Sequence, residues 1–160
     1  MSEVVTDAAR RAIESSVLCW LATVSEENVP NVSPKEAFAY GGRNRIWVAN
    51  IASPITVRNI RACPDVCISF LDIFTQKGYK IHGRAKILDA ESEENHPALE
   101  RLASIVGGKF KILSVIEIEA RAASPIVAPS YRFFPETTET EMVKQSLASY
   151  GVDERMRDCD

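Results

Sequence analysis

The 160-residue chain has little of what the common catalytic motifs require. Its two histidines, His82 and His96, lie far apart and lack the H-x-x-x-H spacing that sets two imidazoles on one helical face. The four cysteines, Cys19, Cys63, Cys67 and Cys159, form no metal set. Cys19 sits in an apolar run, and Cys63 and Cys67 flank Pro64 with no further Cys or His to complete four ligands, so all four read as structural. There is no G-x-S-x-G elbow and no G-x-G-x-x-G. Gly107-Gly108-Lys109 has the ending of a phosphate loop, but Phe110 stands where Ser or Thr is needed and Ala103 where the first Gly should be. No apolar run approaches membrane-spanning length, and the N-terminal stretch MSEVVTDAARRAIESS lacks a signal-peptide core. A cytoplasmic protein without a membrane partner is expected. The net charge of -3 leaves no electrostatic footprint for nucleic acid.

What is present is ordinary globular composition, with 46% hydrophobic and 26% charged residues. The length suits one domain spanning residues 1–160, with a core over about 14–120 and a C-terminal extension over 121–160. Val4, Val5, Ala8, Ala9, Ala12 and Ile13 repeat at helical spacing, predicting a helix over 3–15. Residues 17–24 (VLCWLATV) read as a strand buried on both faces. Ser25 to Asn28 form a polar turn, and residues 29–39 return as an irregular or edge strand carrying Pro30 and Pro34. A second turn over 40–44 leads to a strand over 45–50. Further strands are expected over 66–73 and 78–88, with Gly83 marking a bulge or a close backbone approach. Leu99, Leu102, Ala103 and Val106 share a helical face ended by Gly107, and residues 111–120 form a last strand. A final helix is expected over 136–150, followed by a frayed tail over 153–160. Six strands with few helices between them predict a mainly β fold, an antiparallel barrel or sandwich.

Ile46 to Arg61 is the stretch with chemical potential. An apolar strand, Ile46 to Ala49, leads through Asn50 to Ser53-Pro54, a helix start with Ser as cap and Pro at the first position. A helix over 54–62 would stop before Pro64. Its N-terminus is suited to an anion, although a capped helix after a strand is equally a structural element. Ile55-Thr56-Val57 puts three β-branched residues in the first turn, a poor local choice that marks either function or packing of Ile55 and Val57 under the barrel. Pairing of the neighbouring strands would bring Ser33 and Lys35 towards Asn50, Ser53 and Thr56, gathering an ammonium, hydroxyls and a helix N-terminus around one point. Lys35 and Thr56 are both expected to be partly exposed. His82 reads as a strand-surface residue, with an axial-ligand role as the alternative, and His96 as solvated.

The order LATV (Leu21 to Val24), PNVSPK (Pro30 to Lys35), IWVAN (Ile46 to Asn50), TVRNIRACP (Thr56 to Pro64), VCISF (Val66 to Phe70) and GYKIHGRAKIL (Gly78 to Leu88) resembles the pyridoxamine 5′-phosphate oxidase-related FMN-binding split-barrel family. Ser130-Tyr131-Arg132-Phe133-Phe134 is similar to the tail of its small members. The resemblance implies a six-stranded antiparallel Greek-key split β-barrel, a homodimer, and FMN in the groove between subunits. It places Ser33, Pro34 and Lys35 along the flavin, Ala49 and Asn50 at the ring, and Ile55 and Thr56 at the phosphate. Gln76 and Lys77 are expected to approach the site. Many members carry a basic residue at one or both positions matching Ile55 and Thr56, so here Lys35, Arg58 or the partner subunit would supply the charge. The C-terminal Arg-containing motif of true pyridoxamine phosphate oxidases is not evident, so vitamin B6 oxidation is not expected. The implied function is an FMN-dependent oxidoreductase passing electrons between small-molecule donor and acceptor, with no catalytic side chain required. The alternative is a non-catalytic flavin, haem or deazaflavin binder on the same barrel.

Overall fold

Sequence periodicity and turn chemistry account for most elements of the computed structural model, which describes residues 3–91 and 96–152. The first helix, α1 (Asp7–Ser15), is shorter than its apolar repeat, because Thr6 caps it by accepting the Ala9 N–H at 3.3 Å. Val5, Ala9 and Ile13 are buried beneath it. Strands β1 (Cys19–Val24) and β2 (Pro30–Lys35) follow, joined by a turn in which Asn28 adopts a φ of 62° and the Ser25 hydroxyl accepts from the Glu27 and Val29 N–H groups. β1 does not bury both faces as its apolar run suggested. Cys19, Leu21 and Thr23 point inward while Trp20 is 44% exposed, because only one side of this strand meets the core.

The expected second strand is broken. Glu36 and Ala37 interrupt it, giving β2 and a separate β3 (Phe38–Gly42), and the count becomes seven strands. β3 turns through Arg43 and Asn44, both at positive φ (49° and 63°), into β4 (Arg45–Asn50). Helix α2 (Pro54–Ala62) leads to β5 (Asp65–Asp72), β6 (Lys77–Asp89), helix α3 (His96–Val106) and β7 (Ser114–Val127). The sheet is antiparallel in the order β2-β1-β5-β6-β7-β4-β3. Its two edge strands, β2 and β3, are consecutive in sequence and separated by Glu36 and Ala37 alone, so the edges are drawn together and the sheet curls into a barrel. The edge position explains how β2 tolerates Pro30 and Pro34.

Gly83 serves the curvature. The β6–β7 register shifts between His82 and Gly83, and a Cβ there would lie 2.5 Å from the Glu119 carbonyl oxygen. β7 runs beyond its expected end through Pro125. Past Glu119 it pairs with β6 alone, since β4 covers only Ser114 to Glu119, so a residue without an N–H is accommodated on the open side.

Two apolar clusters result. One fills the barrel with residues such as Leu21, Ile46, Ile68, Phe70, Ile81, Ile116 and Ile118. The other packs Ala98, Leu102 and Val106 of α3 outside the barrel on Ala37, Ala39, Ala49 and Val115. Ala103, expected on that buried face, is exposed; Ala98 takes its place. The last helices are α4 (Ser130–Phe133) and α5 (Glu139–Tyr150), the latter opened by a Thr138–Glu141 capping box and closed by Gly151 at a φ of 66°. Residues 153–160, the expected frayed tail, and Cys159 with them, lie outside the described residues. No helix among the described residues is long and apolar enough to cross a membrane.

Candidate functional site

The start of α2 is built from two matching periodicities. Ser53, Thr56 and Asn59 recur every three residues and so share one side of the helix. Ser33 and Lys35 are two apart on β2 and share one side of the strand. The two sides meet as a polar seam. The Lys35 Nζ donates to the Ser53 Oγ at 2.5 Å, and the Ser33 and Thr56 hydroxyl oxygens lie 3.1 Å apart. The Asn59 Nδ2 donates to the Thr23 Oγ1 at 3.1 Å. Thr23 in turn accepts from the Asn31 Nδ2 at 3.3 Å, and the buried Asn59 Oδ1 has no hydrogen-bond partner among the described residues.

This geometry revises three local expectations. Ser53 stands at the N-cap with Pro54 after it, but its side chain makes no capping bond; its oxygen is taken by Lys35. The Asn50 Oδ1 accepts the Ser53 N–H at 3.2 Å instead, while the Asn50 Nδ2 donates to the Ser114 Oγ at 2.9 Å and ties the end of β4 to β7. Lys35 and Thr56 are not partly exposed but 6% and 1% exposed, because the seam closes over them. The β-branched turn is resolved by Thr56, Asn59 and Ile60 facing inward, whereas Ile55 is 50% exposed and does not pack under the barrel.

Lys35 is the electrostatic centre. It is a buried ammonium with no carboxylate within ion-pair distance among the described residues. Burial holds its pKa below the ordinary 10.5, with the Cys19 sulfur pulling the other way. Burial likewise pushes the Cys19 thiol up to about 12, against the pull of Lys35. An uncompensated buried ammonium costs several kcal/mol, and an anion beside it would offset that cost. The first-turn N–H groups of α2 have no acceptor inside the helix and add to the same preference.

A cavity of about 410 Å³ opens at this point. Pro34, Lys35, Ala49 and Ser53 line it, together with Ala37 and Ile51. Four of the sequence-singled residues are therefore brought together on one surface. Ser33 and Thr56 stand beside it through the seam, Asn50 holds the Ser53 backbone, and Ile55 lies on the outward side of α2. Gln76 and Lys77 do not line this cavity. The Gln76 Nε2 donates to the Ser146 Oγ at 3.3 Å, and the Lys77 Nζ meets Glu139 at 2.7 Å and lies 4.2 Å from the Tyr131 ring centre. Both are tied to the C-terminal helices of the same chain.

A second part of the lining was not singled out from the sequence. It comes from the end of α3, with Ile105, Val106, Lys109 and Phe110. Its signal was the Gly107-Gly108-Lys109 run, which fails as a phosphate-loop motif. His82 is exposed on the outer face of β6, its Nε2 4.0 Å from the Cys67 Sγ, and His96 is exposed at the start of α3 beside Glu100. Neither imidazole lines the cavity. Among the described residues no cluster of three or more His, Cys, Asp or Glu forms a metal site.

Comparisons with known proteins agree with this architecture. Among curated proteins no relative matches. Several solved structures share the fold. HupZ of Group A Streptococcus is 22% identical, at a TM-score of 0.64 over 77% of this chain and 98% of that one. An FMN-binding protein of Syntrophomonas wolfei subsp. wolfei is 16% identical, at a TM-score of 0.67 over 76% and 86%. HutZ, the heme storage protein of Vibrio cholerae, is 18% identical, at a TM-score of 0.59 over 73% and 89%. At these identities the likeness is one of fold. The family model described as pyridoxamine 5′-phosphate oxidase matches residues 5–134, all seven strands of the barrel with its first helix, and the chain belongs to that family.

Proposed function

We propose that this protein is an FMN-binding flavoprotein that acts as a homodimeric oxidoreductase between small-molecule electron donors and acceptors. One observation carries the reading. Lys35 holds a buried positive charge without a carboxylate partner among the described residues, at a helix start and on the wall of a cavity, in a chain of this family. Those features fit the phosphate of FMN. Lys35 and the Ser53 hydroxyl would hold that phosphate with the first-turn N–H groups of α2, and Thr56 and Ser33 would keep the helix start in place. Pro34, Ala37, Ala49 and Ile51 supply an apolar wall that excludes water from a bound ring. FMN, when bound, supplies the electron transfer itself.

The outer face of β2, β1 and β5 supports self-association. Trp20, Val32 and Leu71 are 44%, 57% and 38% exposed, and Trp20 pairs with Pro34 and Ser69 across the strands. Exposed apolar side chains gathered on one face call for a covering partner, and a second copy is the partner proposed.

A haem in this cavity would find no imidazole on its walls, which favours the flavin. Titration of the purified chain with FMN tests the binding. Quenching of flavin fluorescence with a flavin spectrum is expected; a Soret band on the isolated protein, or no quenching, would reject the assignment. Anaerobic bleaching of the bound flavin by NADH or NADPH separates an oxidoreductase from a passive flavin binder. Sedimentation gives the subunit number.

A further inference from the structure

The Gly107-Gly108-Lys109 run is given a role by the fold rather than by its motif. α3 ends at Val106, and Gly107 and Gly108 follow at φ values of 62° and 73°. The Gly107 N–H closes on the Ala103 carbonyl at 3.0 Å and the Lys109 N–H on the Val106 carbonyl at 3.4 Å. A Cβ on either glycine would meet nothing within 4 Å, so the left-handed backbone alone asks for glycine there. Two such residues in succession fold the chain back on the helix end. Lys109 and Phe110 are thereby delivered to the cavity that Lys35 and Ser53 also line.

Among the described residues neither side chain makes a hydrogen bond or an ion pair. Lys109 is exposed and has no ion pair among the described residues, and Phe110 is 62% exposed on the rim. Lys35 and Lys109 give the lining two positive charges, against the one carboxylate of Glu36. The start of α2 itself brings no charge, since its first residues are Pro54, Ile55 and Thr56, and Arg58 and Arg61 do not line the cavity.

We propose that Lys109 and Phe110 complete the anion site from the α3 side, with Lys109 as the second cation for the flavin phosphate and Phe110 as the apolar cover of its other end. The proposal rests on the FMN reading above. It explains how a helix start without basic residues still holds a dianionic group: the missing charge is carried by a different loop that lines the same cavity. Two cations on one phosphate also make binding strongly dependent on salt.

Fluorescence-quenching titrations of the full chain with FMN and with riboflavin test it, because the two ligands differ only in the phosphate. Lys109→Ala is expected to weaken FMN binding roughly tenfold, the effect of one charge-assisted hydrogen bond, and to leave riboflavin binding unchanged. Lys109→Arg should retain FMN. Phe110→Ala should weaken both ligands by similar factors. FMN affinity in Lys109→Ala equal to wild type, or an equal loss for FMN and riboflavin, would overturn the role of Lys109. Wild-type protein that binds neither ligand would instead overturn the flavin reading, and the inference with it. Thermal unfolding of each variant at wild-type temperature, expected for exposed positions, shows that the loss is not one of folding.

Discussion

The Ser33 and Thr56 hydroxyls, 3.1 Å apart, form the middle rung of a seam that fastens α2 across β2 and β1. Lys35 with Ser53 is the rung on one side, and Thr23 with Asn59 the rung on the other. The seam makes the residues of the candidate site structural partners of one another. Their perturbation therefore has to be read in both binding and stability.

Lys35→Met separates the two. The variant keeps the stem that fills the interior and removes the charge. FMN affinity is expected to fall about tenfold or more, while stability stays level or rises by about 1 kcal/mol, because removing a buried charge that has no ion-pair partner among the described residues offsets the loss of its hydrogen bond to Ser53. Flavin quenching and urea unfolding of the same preparation measure both. Unaltered FMN affinity would remove Lys35 from the site. The harsher pair Lys35→Ala with Thr56→Ala would also lower stability, since both side chains are buried.

Cys19 predicts a pH dependence. Its thiol titrates near 9.0 when unfolded and at about 12 when folded. Between those values the native state holds the proton that the unfolded state has lost, so stability falls as pH rises, by up to about 1.4 kcal/mol per pH unit. Lys35 works in the opposite sense. Its folded pKa lies below 10.5, so its contribution rises with pH as the window up to 10.5 is crossed. Cys19→Ala should therefore lose less stability than wild type above pH 9, as read by urea midpoints over a pH series. Parallel curves for the two proteins would contradict the assignment.

Gly83→Ala tests the bulge. The added methyl would lie 2.5 Å from the Glu119 carbonyl oxygen and 2.7 Å from the Ile118 Cγ2, neither of which can swing away without shifting β7. A loss of about 1–3 kcal/mol is expected. A variant of wild-type stability would mean that β6 and β7 approach less closely than described.

Asn44 joins the N-terminal segment to the β3–β4 turn. Its Oδ1 accepts the Val4 and Val5 N–H groups at 2.9 and 3.0 Å, and its φ is 63°. Asn44→Gly keeps the backbone and loses the two bonds, at a cost of about 2 kcal/mol. Asn44→Ala adds left-handed strain of about 1 kcal/mol more. Equal stabilities for the two variants would show that the backbone conformation there is not strained.

The sequence by itself determined the family, the antiparallel β character and the start of α2. These are local matters. Apolar spacing, Ser53-Pro54, the Asn28 turn and the Gly107 helix stop depend on residues a few positions apart. Sequence also brought Ser33, Lys35, Ser53 and Thr56 forward as a group, but on an expected pairing of their strand with β4 that does not form: β2 pairs with β1 alone, and its side chains reach α2 directly. Only the tertiary structure decided how they meet. The break at Glu36–Ala37 made one expected strand into two and closed the barrel, a choice set by long-range pairing with β1 and β4. The packing of α2 on β2 buried Lys35 and took the Ser53 oxygen away from its capping role, since a buried ammonium outcompetes a backbone N–H for a nearby acceptor. The part of the lining with Lys109 and Phe110 comes from a loop remote in sequence that a double left-handed turn folds back onto the cavity, and no local pattern encodes which strand that turn will face.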